Sequence, residues 1–232
     1  MKVMIQRLDW DSDFFGYEVG KLEIVDIINF NFDVFKNEAK KFKLVCVFSN
    51  LELNVLNFEL VDKKVVFHQE ISQVAEMKNV IIESFDKNKH DFNQLKRLAL
   101  DSGIHSRFFI DKNFKNNEYL KLYSRWIENS VDRKMSFDVL VALNNEEIIG
   151  FTTLNKKSEL LSDIGLVAVS ELSRGLGVGK KIINESIRKA KNAGFKEIQV
   201  VTQLTNVAAV NLYKSTNFKE QKITNIYHFW NT

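Results

Sequence analysis

The stretch between residues 162 and 190 constrains the fold more than any other part of this 232-residue chain. An apolar run over Ser162–Val169 is typical of a buried strand, and a short polar turn separates it from three closely spaced glycines. An amphipathic helix is expected directly afterwards, because apolar side chains recur with helical spacing at Ile182, Ile183, Ile187 and Ala190. Such a strand, turn and helix N-terminus concentrate unpaired N–H groups and a positive dipole end, so the segment predicts a phosphate-binding loop.

Three kinds of phosphate-binding motif have glycines with a spacing close to that of this loop. The P-loop pattern does not fit, because Arg174 stands at its first glycine and Lys181 at its hydroxyl position. The dinucleotide pattern does not fit either, because Lys180 occupies the third glycine position. The pattern Arg-x-x-Gly-x-Gly does fit, with Arg174, Gly177 and Gly179. Taken alone, it also allows a glycine-rich turn that serves only packing.

A second motif follows at a fixed distance downstream. Glu197–Thr202 alternates like a strand, and a short helix is expected over Asn206–Lys214, with Asn206 as its cap. Asn217 ends this unit and tolerates a left-handed backbone. Together with the glycine loop, the order of residues resembles the GNAT superfamily of N-acyltransferases. The resemblance implies an α/β GNAT fold: a mixed, mostly antiparallel sheet flanked by helices and splayed at the acyl-CoA site.

Composition excludes several classes of protein. The formal net charge of +3 is small and the lysines are scattered, which argues against a nucleic-acid partner. No apolar stretch reaches transmembrane length, so no membrane insertion is expected and a cytoplasmic location is the default. The single cysteine, Cys46, lies in an apolar run and is expected to be a buried small hydrophobe. No Cys/His cluster suggests a metal site.

The chain divides into two segments on the pattern of its elements. Residues 1–78 are expected to form a smaller N-terminal α/β domain on the acceptor side of the cleft, and residues 79–232 the GNAT domain. In the first segment, strands are predicted at Val19–Val25, Lys43–Phe48 and Val65–Ile71, and helices at Phe32–Lys41 and Leu51–Phe58. Before the glycine loop, the second segment predicts strands at Val80–Phe85, Val139–Leu143 and Ile148–Leu154, and helices at Asp91–Ser102 and Glu118–Val131.

Further motifs along the chain narrow the resemblance to one group of enzymes. Leu8–Gly16, Ser106–Phe108 and Val201–Gln203 resemble the TDP-4-amino-4,6-dideoxyhexose (TDP-fucosamine) N-acetyltransferases, as does the pattern Tyr-x-x-Trp-Ile-Glu-Asn that begins at Tyr123. The implied activity is acetylation of a nucleotide-linked amino sugar for surface polysaccharide. The residues implied on the substrate side are Trp10, Phe14, Phe15 and Arg107. Taken singly, each of the three aromatic residues is better explained as a core side chain.

The resemblance also implies a site for acetyl-CoA between two strands that splay apart. A backbone N–H near Val167 would hydrogen-bond the thioester carbonyl, and the pantetheine would lie along the strand that ends at Val169. Asn206 would bond the pantetheine or orient water, or only cap its helix. The amides expected to cradle the pyrophosphate belong to the loop residues Arg174, Gly175, Gly177, Val178, Gly179 and Lys180.

Two side chains are implied in proton transfer. Tyr213 matches the superfamily tyrosine that protonates the departing thiolate; its ordinary pKa of about 10 lies above a thiol's ~8.5. Asp62 matches an acidic residue of the sugar acetyltransferases and is the candidate base, although Asp62–Lys64 also reads as a plain polar turn. His68, His105 and His228 are fallback bases without motif support.

The combined interpretation is an acetyl-CoA-dependent N-acetyltransferase whose partner is a small-molecule nucleotide sugar. One alternative is an N-acyltransferase for a peptide or another small amine. Another is a non-catalytic CoA-binding regulatory module. A homodimer, the sugar stereochemistry and the length of the acyl chain are left open by the sequence.

Overall fold

A single mixed sheet of ten strands forms the centre of the molecule. The computed structural model describes residues 4–53, 58–71 and 81–231. Along the sheet the strands run in the order β1-β2-β3-β10-β4-β9-β8-β7-β6-β5. Their bounds are β1 Gln6–Arg7, β2 Val19–Ile24, β3 Leu44–Ser49, β4 Glu59–Glu70, β5 Ile81–Ser84, β6 Ser136–Asn144, β7 Glu147–Lys156, β8 Leu161–Val169, β9 Glu197–Gln203 and β10 Lys219–Trp230.

Helices cover both faces of this sheet. Their bounds in the described residues are α1 Asp9–Phe15, α2 Phe32–Ala39, α3 Phe92–Asp101, α4 Arg107–Ile110, α5 Glu118–Val131, α6 Val178–Asn192 and α7 Val207–Ser215. The apolar stripes of α2, α6 and α7 pack on one face, and those of α3 and α5 on the other, where α1 and α4 also lie. The fold is therefore the expected α/β arrangement of a mixed sheet between helical layers.

Local sequence signals account for several element ends. The side chains of Asn31, Asp91 and Asn206 each accept a hydrogen bond from the first turn of the helix that follows. Asn217 adopts a left-handed backbone with φ 69°, as its position after α7 predicted. The β6–β7 hairpin turns through Asn145 and Glu146, both with positive φ, which matches the twist of the flanking strands.

The pairing between β8 and β9 stops halfway along these strands. The two run parallel and are paired from Leu161 with Glu197 to Ile164 with Val200. Beyond that point β8 continues to Val169 and β9 to Gln203 without pairing to each other. The sheet is therefore split at its centre, as the resemblance implied.

The N-terminal segment is built into the same sheet as the rest of the chain. β4 lies between β9 and β10 and pairs antiparallel with both. Its side chains Val65 and Phe67 belong to the core that α6 and α7 complete. The division at residue 78 stays a prediction, and hydrogen-bonded strands join the two segments.

Several local expectations are corrected. The helix predicted over Leu51–Phe58 is wrong at its described residues, which are not helical; residues 54–57 lie outside the described chain. Asp62–Lys64 is not a turn, because β4 begins at Glu59 and contains it. The short helices α1 and α4 were not predicted, since seven and four residues are too few to show a helical period.

A buried carboxylate ties α4 to β10. Asp111 follows α4, and its Oδ2 accepts hydrogen bonds from His228 Nδ1 at 2.5 Å and from Trp230 Nε1 at 2.8 Å. These bonds, together with one from the Asn113 backbone, outweigh burial and lower the pKa of Asp111 to about 2. The ionised Asp111 therefore fixes the position of α4, and with it Arg107, against the sheet.

Candidate active site

A cavity of about 490 Å³ opens where β8 and β9 part. Its walls are the unpaired half of β8, the loop that leads into α6, and α7. All the residues predicted to bind acetyl-CoA line it, together with the predicted acid: Val167, Val169, Arg174, Gly175, Gly177, Val178, Gly179, Lys180, Asn206 and Tyr213. Residues scattered over 47 positions of sequence are thus brought to one cavity by the fold.

The glycine loop has the backbone that an anion-binding turn requires. Gly175 and Gly177 have φ of 76° and 79°, and a Cβ built on either meets no atom within 4 Å. The first intrahelical bond of α6 runs from Lys181 N to the Gly177 carbonyl, so the amides just before Lys181 have no intrahelical acceptor. Arg174 Nε donates to the Val169 carbonyl at 3.3 Å. The loop therefore offers open space beside free amides, as phosphate binding needs.

An irregularity in β8 shapes the same cavity from the sheet side. The register between β7 and β8 shifts between Thr152 and Leu154, opposite Gly165. Thr153 Oγ1 accepts a hydrogen bond from Leu166 N at 2.9 Å, and a Cβ on Gly165 would stand 2.6 Å from that oxygen. Glycine is therefore needed here for a close approach, and the bulge bends β8 away from β9.

Tyr213 reaches the cavity from α7. Its ring packs against Phe67 and Phe218, with centroid separations of 5.8 and 6.1 Å. Burial raises the pKa of its phenol well above the ordinary value, because the phenolate loses hydration. The hydroxyl is therefore a protonated donor at neutral pH. Asn206 both lines the cavity and caps α7, its Oδ1 accepting from Ala209 N at 3.1 Å.

Asp62 lies outside this cavity, on a partly open face of the sheet. The register pairs Lys64 with Gln203 and Val66 with Val201, so the face that carries Asp62 adjoins the free end of β9. Val201 on this face remains 36% exposed. Burial raises the pKa of Asp62 to about 6, against the opposing charge of Arg107, and its Oδ1 has no hydrogen-bond partner.

The other residues predicted on the substrate side lie above the same face. Trp10 is 48% exposed and stacks on Phe14 with ring centroids 5.0 Å apart, whereas Phe15 packs against Phe108 in the core. The Arg107 guanidinium lies over the Phe108 ring at 4.3 Å. Its Nε is buried without a hydrogen-bond partner.

Some residues of the site were not singled out by the sequence. Asp101, Ser102 and Ile104, which lie at or just after the end of α3, line the cavity together with the fallback base His105. The other two fallback histidines are already engaged: His68 with Glu197 at 3.2 Å, and His228 with Asp111. No periodic or motif signal marks the residues after α3, because they form a loop.

Comparison with known proteins places the chain in a family. The model of the acetyltransferase (GNAT) family matches residues 94–218, more than half of the chain. The chain therefore belongs to the GNAT acetyltransferase family. The expected family and fold are confirmed.

The individual relatives have low sequence identity to this chain. The chain is 26% identical over 141 residues to the spore coat polysaccharide biosynthesis protein SpsD of Bacillus subtilis, covering 60% of this chain and about half, 48%, of that protein. It is 23% identical over 220 residues to the dTDP-fucosamine acetyltransferase of Escherichia coli O6:H1, covering 92% of both. A conserved protein of unknown function from Staphylococcus epidermidis shares the fold, with a TM-score of 0.67 at 12% identity over 93% of this chain and 84% of its own.

Two features are absent from the described ranges. None of the helices there is long and apolar enough to cross a membrane. Across the same ranges, no three His, Cys, Asp or Glu side chains are grouped so that they could hold a metal ion.

The glycine loop generates a direct prediction. We expect Gly177→Val to fold but to bind CoA at least about tenfold more weakly, because a branched side chain would fill the space beside the free amides. Gly194→Val is the matched control, since Gly194 also has positive φ and open surroundings but ends α6 away from the cavity. Calorimetric titration with CoA and a thermal melt measure both variants. Equal CoA affinity for the two would contradict the assignment of the loop.

Proposed function

We propose that this acyltransferase moves the acetyl group of acetyl-CoA onto the 4-amino group of a nucleotide-linked 4-amino-4,6-dideoxyhexose. The observation that carries this proposal is similarity over 92% of both chains to a dTDP-fucosamine acetyltransferase. It extends through the N-terminal segment, which contributes β4 and Asp62 to the face beside the cavity. The similarity to a spore coat polysaccharide protein supports the same substrate class.

The cavity suits acetyl-CoA as the donor. The amides at the start of α6 and the Arg174 guanidinium would hold its pyrophosphate, and the unpaired half of β8 offers backbone groups to the pantetheine. The bound donor supplies an activated thioester carbon. A backbone N–H near Val167 would hydrogen-bond the thioester oxygen and stabilise the negative charge that develops there.

Two side chains handle the protons. The amine lone pair attacks the thioester carbon, and the C–S bond breaks with its electron pair left on sulfur. Tyr213 donates its hydroxyl proton to that sulfur, for which the protonated, buried phenol is suited. Asp62, directly or through water, accepts the proton that the amine loses; its raised pKa of about 6 makes it a useful base near neutral pH.

Removing the Tyr213 hydroxyl tests the acid. We expect Tyr213→Phe to lower kcat by roughly 10²–10⁴, the usual contribution of a general acid, with CoA affinity nearly unchanged. Tyr227→Phe is the control, because that buried hydroxyl only accepts a hydrogen bond from Leu53 N at 2.9 Å. Steady-state thiol release measures both. A Tyr213→Phe enzyme within a few-fold of wild type would show that another group protonates the thiolate.

If Asp62 is the base, kcat should depend on pH. Because the carboxylate of Asp62 forms only as pH rises through about 6, kcat should climb through that range and then level off. Asp62→Asn should remove this rise and lower the plateau, and it should stabilise the fold at pH 8, where the wild type buries an ionised carboxylate. Asp11→Asn is the control, since Asp11 also lies near Arg107. If Asp62→Asn keeps the wild-type rise, Asp62 is not the base.

The acceptor itself is tested by a panel of amines. Nucleotide-linked 4-amino sugars, the free amino sugars and peptides with free N-termini are compared at matched concentration, with products identified by mass spectrometry. We expect the nucleotide-linked sugar to have the highest kcat/KM, because remote contacts position the amine for attack. A peptide that outperforms every nucleotide sugar would overturn the proposed acceptor and leave the acetyltransferase activity in place.

A further inference from the structure

A group of positively charged side chains lies on the open face of the sheet beside the acyl site. Register places Lys64 opposite Gln203, the last residue of β9, and also opposite Thr224 of β10. Lys222 pairs with Val66 in the same ladder, so Lys64 and Lys222 point to one face. Arg107 reaches this face from α4, next to Asp62. Three cations from three elements are thus gathered where the substrate-side residues meet.

The cations of this group form no ion pairs within the described chain, although Asp62, Asp11 and Glu23 lie near them. Neither Lys64 nor Arg107 nor Lys222 has an ion-pair partner within 4.0 Å among the residues described. Lys21 at the rim is different, because it is paired with Glu23 at 2.6 Å. The carboxylates that face Arg107 are Asp62 and Asp11, and burial raises the pKa of both. Cations held together without partners indicate a place for an anion.

Lys64 shows the effect of this crowding. Its pKa is lowered first by burial and then by the charge of Arg107; Lys222 and Lys21 act in the same direction, and only Asp62 opposes them. The electrostatic potential at this ammonium is therefore positive. A bound anion would relieve it, because an opposite charge nearby favours the charged form of the lysine.

An aromatic ring forms the floor between these cations. Phe48 of β3 is partly buried, and the ammoniums of Lys21 and Lys64 lie over its ring at 5.3 and 5.8 Å. These contacts hold the two ammoniums beside the ring. The rest of the ring is an apolar surface on which a planar group can rest.

We propose that Lys64, Lys222 and Arg107, gathered around Phe48, form the subsite for the diphosphate group of the acceptor. The inference rests on the proposed function and adds how the acceptor would lie across the sheet. Lys64 is one strand, about 5 Å, from the free end of β9, and β10 is one strand further. The amine then lies at the gap between β8 and β9, the sugar ring crosses β9 and β4, and the diphosphate lies over β4 and β10.

Calorimetry with thymidine diphosphate as the probe tests the subsite. The enzyme is first saturated with CoA, so that the glycine loop cannot bind the probe. We expect Lys64→Gln and Arg107→Gln each to weaken probe binding about tenfold or more, because each removes a charged hydrogen-bond donor. Lys222→Gln, at an exposed position, should give a smaller loss. Higher salt should weaken binding to the wild type.

Lys63→Gln provides the matched control. Lys63 is adjacent in β4, points to the opposite face and is paired with Glu52 at 3.2 Å. It should bind the probe as wild type does, and CoA affinity should be unchanged in all four variants, which also shows that each is folded. In kinetics, Lys64→Gln should raise KM for the nucleotide sugar and leave KM for acetyl-CoA unchanged.

These experiments can overturn the diphosphate subsite and the proposed acceptor independently. If the CoA-saturated wild type does not bind the probe, or Lys64→Gln and Lys63→Gln bind it equally, the subsite is wrong, even if nucleotide sugars are acetylated. If the probe binds and depends on Lys64 while no nucleotide sugar is acetylated, the subsite stands and the proposed acceptor is wrong. A nucleotide sugar that is acetylated with an unchanged KM by Lys64→Gln also overturns the subsite.

Discussion

The early end of the pairing between β8 and β9 is the constraint on which the site depends. A parallel pair that closed along its full length would satisfy its backbone groups internally and leave no cavity. Here pairing stops at Ile164 and Val200, and the bulge at Gly165 bends β8 away. The same break brings the glycine loop to one side of the gap and Tyr213 to the other. One irregularity in the sheet therefore creates the cavity that is proposed to bind the donor, next to the face that is proposed to bind the acceptor.

Burial sets the proton chemistry on the two sides of this gap. Loss of hydration raises the pKa of Tyr213, which keeps its phenol protonated, and raises the pKa of Asp62 to about 6. In the proposed function, Tyr213 is the proton donor and Asp62 the proton acceptor. The Asp111–His228 pair acts at a greater distance by fixing α4 on β10. Because α4 begins with Arg107, this buried pair also determines where the positive charge of the acceptor face lies.

Much of this arrangement could be predicted from the sequence where short-range signals are strong. The glycine loop, α5 and the capping residue Asn206 follow from spacing and turn chemistry. The insertion of β4 between β9 and β10 could not be predicted, because long-range pairing leaves no local pattern. Asp62–Lys64 resembled a turn because three consecutive charged residues look polar in sequence, although all three lie within β4.

Hydrogen–deuterium exchange with and without acetyl-CoA tests the central claim, that the donor binds in the gap between β8 and β9. We expect acetyl-CoA to slow exchange in residues 165–169 and 174–180, where amides gain acceptors or lose access to water. Residues 161–164 and 197–200 should change little, because those strands are already paired. Protection confined to other parts of the chain, or none in the loop and the free half of β8, would contradict it.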